Sequence, residues 1–169
     1  MIPDKDAHCT MGIFVGDHDQ MSGFVFQNKS RIKCPGKSFF ERIADVTVKE
    51  TGLKRKNYEL GIFLVSPAES KKLNAEFRLK DSSTNVLSFP SSAGYLRKYG
   101  IMALGDIFIC PSVAVKEAKE LKIQFKEHLS WLTIHGVLHL LGYDHEKSQL
   151  EARKMEKLEK KILQKLALR

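Results

Sequence analysis

One run of residues, 135–145, constrains the fold of this chain more than any other stretch, and it reads HGVLHLLGYDH. His135 and His139 lie four residues apart, and on an α-helix that spacing puts both side chains on one face. Gly142 can adopt the positive φ that ends a helix and turns the chain, which would bring His145 to the same point. The run therefore predicts a helix that ends in a three-histidine metal site.

The three imidazoles predict one zinc ion per chain, bound by His135, His139 and His145. Three protein ligands leave the fourth tetrahedral position to water, which is typical of a catalytic zinc rather than a structural one. Single histidines on an apolar helix are often core residues, but three at this spacing favour a metal. His128, two helical turns before the first ligand, is interpreted as a packing or surface residue because it is too far along the helix to reach the ion.

The residue after the first histidine argues against one class of zinc enzyme. The spacing His-x-x-x-His-x-x-Gly-x-x-His is that of the metzincin proteases, which carry a glutamate directly after the first histidine as general base. This chain has Gly136 at that position. Without the glutamate, a zinc-bound water lacks the group that takes its proton. The metal site is therefore retained, and a metallopeptidase becomes the weaker alternative.

Three blocks of the sequence resemble the YbeY family of bacterial single-strand-specific endoribonucleases. The histidine run is similar to the family signature. Residues 73–78 and 83–90, LNAEFR and STNVLSFP, resemble its central segment, and residues 104–107, LGDI, resemble the strand before its metal helix. The blocks keep the family order over roughly residues 60–163. The chain departs from the family pattern at Asn85, where an aspartate is expected, although an amide also accepts hydrogen bonds.

The resemblance implies a zinc-dependent endoribonuclease that cuts single-stranded RNA. It further implies a role in maturation of the 3′ end of 16S ribosomal RNA and in ribosome quality control, with an rRNA precursor and the ribosome as partners. Catalytic roles are implied for Arg78 and, beside its ligand role, for His135. From the residues alone we infer only a metal-dependent hydrolase. The alternatives are a metallopeptidase and a non-catalytic ribosome-assembly factor whose zinc is structural.

The charge of the chain fits a polyanionic partner. Lys+Arg 28 outnumber Asp+Glu 20, which gives a formal net charge of +8 at pH 7 and a pI of about 9.4. This balance favours RNA through phosphate contacts, although many basic proteins bind no nucleic acid. Cys9, Cys34 and Cys110 are scattered and predict free thiols in a reducing compartment. Because no long apolar run or secretory signal pattern occurs, we expect a cytoplasmic protein with no membrane partner.

The order of predicted elements indicates one α/β (α+β) domain. Strand patterns alternate with helical patterns, which predicts about four strands of mixed direction covered by about five helices. The helix that carries the histidines has hardly any polar face, so it should be the buried central helix. Residues 22–169 are assigned to this domain. Residues 1–21 show no sustained period and are predicted to be a weakly ordered extension. Residues 91–100 are interpreted as a surface loop; the alternative is a segment whose tyrosines and basic residues stack on and clamp single-stranded bases.

Local signals also predict the helix that leads to Arg78. Ser66, Pro67 and Glu69 form the usual start of a helix, with Ser66 as N-cap and proline at the first helical position. The helix should end near Arg78. Its apolar spacing predicts that Phe77 faces the core.

Overall fold

The computed structural model describes residues 23–53, 57–92, 95–96 and 101–167. Its elements follow in the order β1 (Phe24–Asn28), α1 (Lys37–Glu50), β2 (Tyr58–Leu64), α2 (Pro67–Arg78), β3 (Val86–Pro90), β4 (Tyr95–Leu96), β5 (Ile101–Ile109), α3 (Pro111–Glu120), α4 (Phe125–Leu140) and α5 (Gln149–Ala167). The predicted extension, residues 1–21, lies outside the described residues. The expected fold class, a mixed sheet with helices, is confirmed.

The sheet is mixed and has the strand order β1-β2-β5-β3, with β4 pairing β5 beside β3. β1, β2 and β5 are parallel, whereas β3 and β4 are antiparallel to β5. The described residues thus form four principal strands, as expected, and the short β4. β4 falls within residues 91–100, which the sequence predicts as a loop. Two residues are too few to show an alternating pattern, so this strand could not be recognised from the sequence.

A bulge in β5 determines which of its side chains enter the core. Leu104 is the extra residue, since β2 pairs with Ala103 and then with Gly105. Gly105 adopts φ 122°, and a Cβ there would clash with the carbonyl oxygen of Phe89, so glycine is required for both conformation and space. Because of the extra residue, Leu104 and Ile107 both face the core although they are three positions apart. Both side chains are buried.

From His128 onward, most residues of the central helix α4 are buried, as predicted. It contacts α1, α3 and α5 as well as β3 and β5. Five of its apolar side chains are 0% exposed: Leu129, Leu132, Ile134, Val137 and Leu138. Gly136 allows the helix to approach the sheet closely, because a Cβ there would lie 3.0 Å from two methyl carbons of Ile107 and 3.1 Å from Ser88 Oγ. The histidine-bearing helix is therefore fixed from several sides.

The start and end of α2 follow the sequence prediction. Ser66 Oγ accepts a hydrogen bond from the backbone N–H of Glu69 at 3.2 Å, and the helix begins at Pro67. It ends at Arg78, and the next residue, Leu79, adopts the left-handed conformation at φ 57°. The end of α2 thus presents Arg78 next to an abrupt change of chain direction.

One prediction about α2 is wrong. Phe77 does not enter the core and remains 45% exposed. Its ring packs edge-on against Phe89, with centroids 4.8 Å apart, and Phe89 belongs to the edge strand β3. Helical periodicity shows which residues share a face of a helix, but it does not show where the sheet beneath that face ends.

Two further expectations concern thiols and membranes. Cys34 and Cys110 are free, whereas Cys9 lies outside the described residues. In the part of the chain that the structure describes, none of the helices combines the length and apolarity needed to cross a membrane.

Candidate metal centre

The three histidines predicted to bind a metal converge at the C-terminal end of α4. One nitrogen from each of His135, His139 and His145 lies within 4.8 Å of the others. The Nε2 atoms of His135 and His139 are 3.1 Å apart. Two nitrogens on a tetrahedral zinc are about 3.3 Å apart, given zinc–nitrogen distances of about 2.0–2.1 Å. The spacing of the imidazoles therefore fits a single metal ion.

The turn after α4 brings the third histidine to the other two. The backbone N–H of Gly142 donates to the His139 carbonyl and that of Tyr143 donates to the Leu138 carbonyl, each at 3.0 Å. This pair of bonds is a Schellman motif, which satisfies carbonyls at a helix end. Gly142 has φ 89°, the positive value predicted for it. The reversal carries the chain back past the end of α4 and places His145 beside the two helical histidines.

The surroundings of His139 favour the neutral imidazole, the form that binds a metal. Burial lowers the pKa of His139, and the neighbouring His135 and His145 lower it further. The Nδ1 atom of His135 lies 2.8 Å from Glu159 Oε1. A carboxylate can only accept, so Nδ1 carries a proton, and in the neutral ring this leaves the lone pair on Nε2, the nitrogen that faces His139. The donor set thus fits a metal bound by neutral nitrogen ligands.

Arg78 reaches the same region from α2. Its Nη2 lies 3.4 Å from Glu146 Oε1, and Glu146 directly follows His145 in the chain. The pair joins residues 68 positions apart, and both side chains are largely exposed, so it adds little stability. It does hold the guanidinium beside the loop that carries the third histidine. The structure therefore brings the three histidines together and places Arg78 against the residue that follows His145.

Asn85 belongs to a hydrogen-bond network centred on Glu117. Its Nδ2 donates to both Glu117 carboxylate oxygens, at 3.1 and 3.0 Å, and its Oδ1 accepts from the backbone N–H of Val86 at 2.7 Å. Glu117 also bonds His128 Nε2 at 2.7 Å. His128 is 2% exposed and is therefore a packing histidine, one of the two roles that the sequence analysis allowed.

Two carboxylates beside the site were not predicted from the sequence. Glu146 follows the last histidine but gives no sign of its partner, which lies on a distant helix. Glu159 had a weak signal, because it falls four residues after Met155 and three before Ile162, on the apolar face of α5. An acidic residue in the middle of an apolar stripe indicates a buried partner for its charge.

Comparisons with known proteins identify the family of this chain. A family model described as Endoribonuclease YbeY matches residues 25–167. The chain belongs to the YbeY family. Endoribonuclease YbeY from Acinetobacter baumannii is 45% identical over 128 residues, which cover 75% of this chain and 80% of that protein. Endoribonuclease YbeY from Bordetella avium is 47% identical over 114 residues, 65% of each chain.

A solved structure shows the same fold. The solution structure of TM1509 from Thermotoga maritima is similar to this YbeY family member with a TM-score of 0.56 and 28% sequence identity. The similarity covers 83% of this chain and 86% of that one. The family expected from the three sequence blocks is thereby confirmed.

The packing at Gly136 is a second difference between this YbeY site and a metzincin site, besides the missing glutamate. The residue lies in the interface with the sheet, and Ser88 Oγ donates to its carbonyl oxygen at 3.3 Å. Because Ile107 and Ser88 lie so close, a glutamate here would have to enter the helix–sheet interface. A larger residue here would force Ile107 and Ser88 to shift, so the packing favours glycine, and we expect that a glutamate would not restore a protease.

We expect Gly136→Glu to lower the melting temperature strongly and to create no peptidase activity. The variant overpacks the interface and buries a carboxylate, which together cost about 3 kcal/mol or more. Thermal denaturation, zinc content and digestion of denatured casein are measured for the wild type and the variant. Gly136→Ala is the graded control, because a methyl group requires smaller shifts of Ile107 and Ser88. A stably folded Gly136→Glu variant that digests casein would contradict this account.

We expect the protein to bind one zinc per chain and to lose it on acidification below about pH 6.5, where free histidines take up protons. The lowered pKa of His139 keeps that ring neutral to lower pH, so the loss should extend below the ordinary histidine range. Zinc content is measured after dialysis at about pH 7.5 and at several lower values. His139→Gln should abolish binding, whereas His128→Gln, outside the site, should not. Full retention of zinc at about pH 4 would rule out a histidine site.

Proposed function

We propose that this protein is a zinc-dependent endoribonuclease that cuts single-stranded RNA. The observation that carries the proposal is the convergence of His135, His139 and His145 in a chain whose relatives are named Endoribonuclease YbeY. The proposed setting is maturation of the 16S rRNA 3′ end and ribosome quality control in the cytoplasm. An rRNA precursor and the ribosome are the proposed partners, and the net charge of +8 supports a polyanionic substrate.

The exposure of the site supports a catalytic metal over a structural one. His135 and His139 are half-buried, and His145 is exposed. A structural zinc is usually closed off by four protein ligands, and the cluster found among the described residues has three. A substrate could therefore approach the ion from solvent.

The proposed mechanism divides the work between the metal ligands and Arg78. A zinc ion, when bound, supplies a Lewis acid for a phosphoryl oxygen and lowers the pKa of its water from 15.7 to about 7. His135 and His139 contribute by holding their Nε2 atoms 3.1 Å apart on one face of a well-packed helix, where both can bind one ion. Arg78 contributes a fixed cation whose planar fork can bind two phosphate oxygens and neutralise the charge that grows in the transition state.

The contact between Arg78 and Glu146 is compatible with that role. The pair is 3.4 Å long and exposed on both sides, so its net contribution to stability is small. A phosphate group can take the place of the Glu146 carboxylate at little cost. In this reading Glu146 orients the guanidinium in the absence of RNA.

We expect the protein to cut a single-stranded ribosomal RNA fragment, to stop after chelation and to recover when zinc is added back. The same preparations are tested on double-stranded RNA, single-stranded DNA and denatured casein. His139→Gln should be inactive and His128→Gln active, which excludes a contaminating nuclease. A zinc-loaded wild type that leaves RNA intact would instead favour the assembly-factor alternative, and cleavage of casein would favour the peptidase.

We expect Arg78→Lys to lower RNA cleavage by roughly tenfold or more, because it keeps the charge and loses the bidentate fork. Zinc content and melting temperature should hold, since the side chain is exposed and its ion pair is weak. Arg153→Lys, at an exposed arginine of α5, is the matched control. Wild-type cleavage by the Arg78→Lys variant would remove this residue from the mechanism.

A further inference from the structure

A buried carboxylate on α5 contacts one of the three histidines of the metal centre. Glu159 is 8% exposed. Its Oε1 lies 2.8 Å from His135 Nδ1, and its Oε2 accepts a hydrogen bond from Trp131 Nε1 at 3.1 Å. Each oxygen therefore has one N–H donor. A buried carboxylate is costly unless it is paired in this way, so its presence requires an explanation.

The two donors are arranged to hold the carboxylate in one orientation. Trp131 and His135 are one helical turn apart on α4, and their ring centroids are 5.0 Å apart. Because Glu159 is bonded at both oxygens, it cannot rotate without breaking a bond. It fixes the proton of His135 on Nδ1 and leaves Nε2 free to face His139.

Docking of α5 alone does not account for this residue. Met155 and Ile162, which flank Glu159 on the same face of α5, are 1% and 0% exposed and already bury the helix against the core. An apolar side chain between them would serve that packing without the cost of burying a charge. In the described residues, the one ion pair found for Glu159 is with His135.

We propose that Glu159 is a positioning residue that sets the tautomer and ring orientation of His135 for metal binding, and that Trp131 in turn fixes Glu159. The inference rests on the proposed role of His135 as a metal ligand. A carboxylate behind a ligating imidazole is a general device for orienting the ring and raising its basicity as a ligand.

Glu159→Gln tests the proposal because it keeps the shape and leaves one acceptor oxygen for two donors. The zinc dissociation constant, measured by competition with a chelator, should weaken roughly ten- to hundredfold. Glu156→Gln is the matched control: it removes the same charge three residues earlier, at an exposed side chain that pairs with Lys160 at 2.6 Å. That control should bind zinc like the wild type.

A second readout separates positioning from a merely structural role. The side-chain nitrogen chemical shifts of His135, measured by NMR in zinc-free protein, report its tautomer. The wild type and Glu156→Gln should show the proton on Nδ1, and Glu159→Gln should show a mixture of tautomers. A stabilising role of Glu159 alone would change the melting temperature and leave the tautomer as it is.

Trp131→Phe keeps the test informative if Glu159→Gln does not fold. It retains the carboxylate and removes one of its two donors, so the zinc dissociation constant should weaken severalfold. Wild-type zinc affinity in either folded variant, together with an unchanged His135 tautomer, would overturn the role of Glu159 and leave the proposed function standing. A wild type that binds no zinc would overturn both this inference and the proposed function.

Discussion

The metal centre depends on the packing of α4, which contacts helices and the sheet on every side except the one that carries the half-buried histidines. Two of its three histidines lie on this helix, so the packing that fixes the helix also fixes the positions of their side chains. At Gly136 the helix lies so close to Ile107 and Ser88 that even a Cβ would force them to shift, so a movement of the helix would disturb the core packing. Ligands mounted on such an element keep their geometry better than ligands on loops. Only His145 comes from a turn, and Gly142 fixes that turn.

The position of the site at the end of α4 has an electrostatic consequence. The C-terminal end of a helix carries a partial negative charge, which favours a cation, and His139 lies in the last turn. The same partial charge disfavours a phosphate. A cationic group from outside α4 would offset this effect for an anionic substrate, and the end of α2 carries such a group, Arg78, against Glu146. The negative end of α4 and the positive side chain at the end of α2 thus have opposite charges.

Features within one short stretch of sequence could be predicted, whereas features that join distant stretches could not. The spacing of His135 and His139 and the glycine after them were enough to predict the converging rings. By contrast, nothing near Glu159 or Glu146 identifies their partners, because side-chain pairing between helices depends on how the helices pack. The exposure of Phe77 and the two-residue strand β4 likewise follow from the extent of the sheet, which local periodicity does not encode.

The departure from the family pattern at Asn85 is accommodated locally. Glu117 takes hydrogen bonds from the Asn85 amide and contacts His128, so an aspartate at this position would face a second carboxylate without a proton between them. The network connects to the metal centre through ring packing: His128 stacks on Trp131 with centroids 5.6 Å apart, and Trp131 packs on His135. Within the part of the chain that the structure describes, the hydrogen bonds found for Asn85 go to Thr84, Val86 and Glu117, so its link to the three histidines runs through this ring packing.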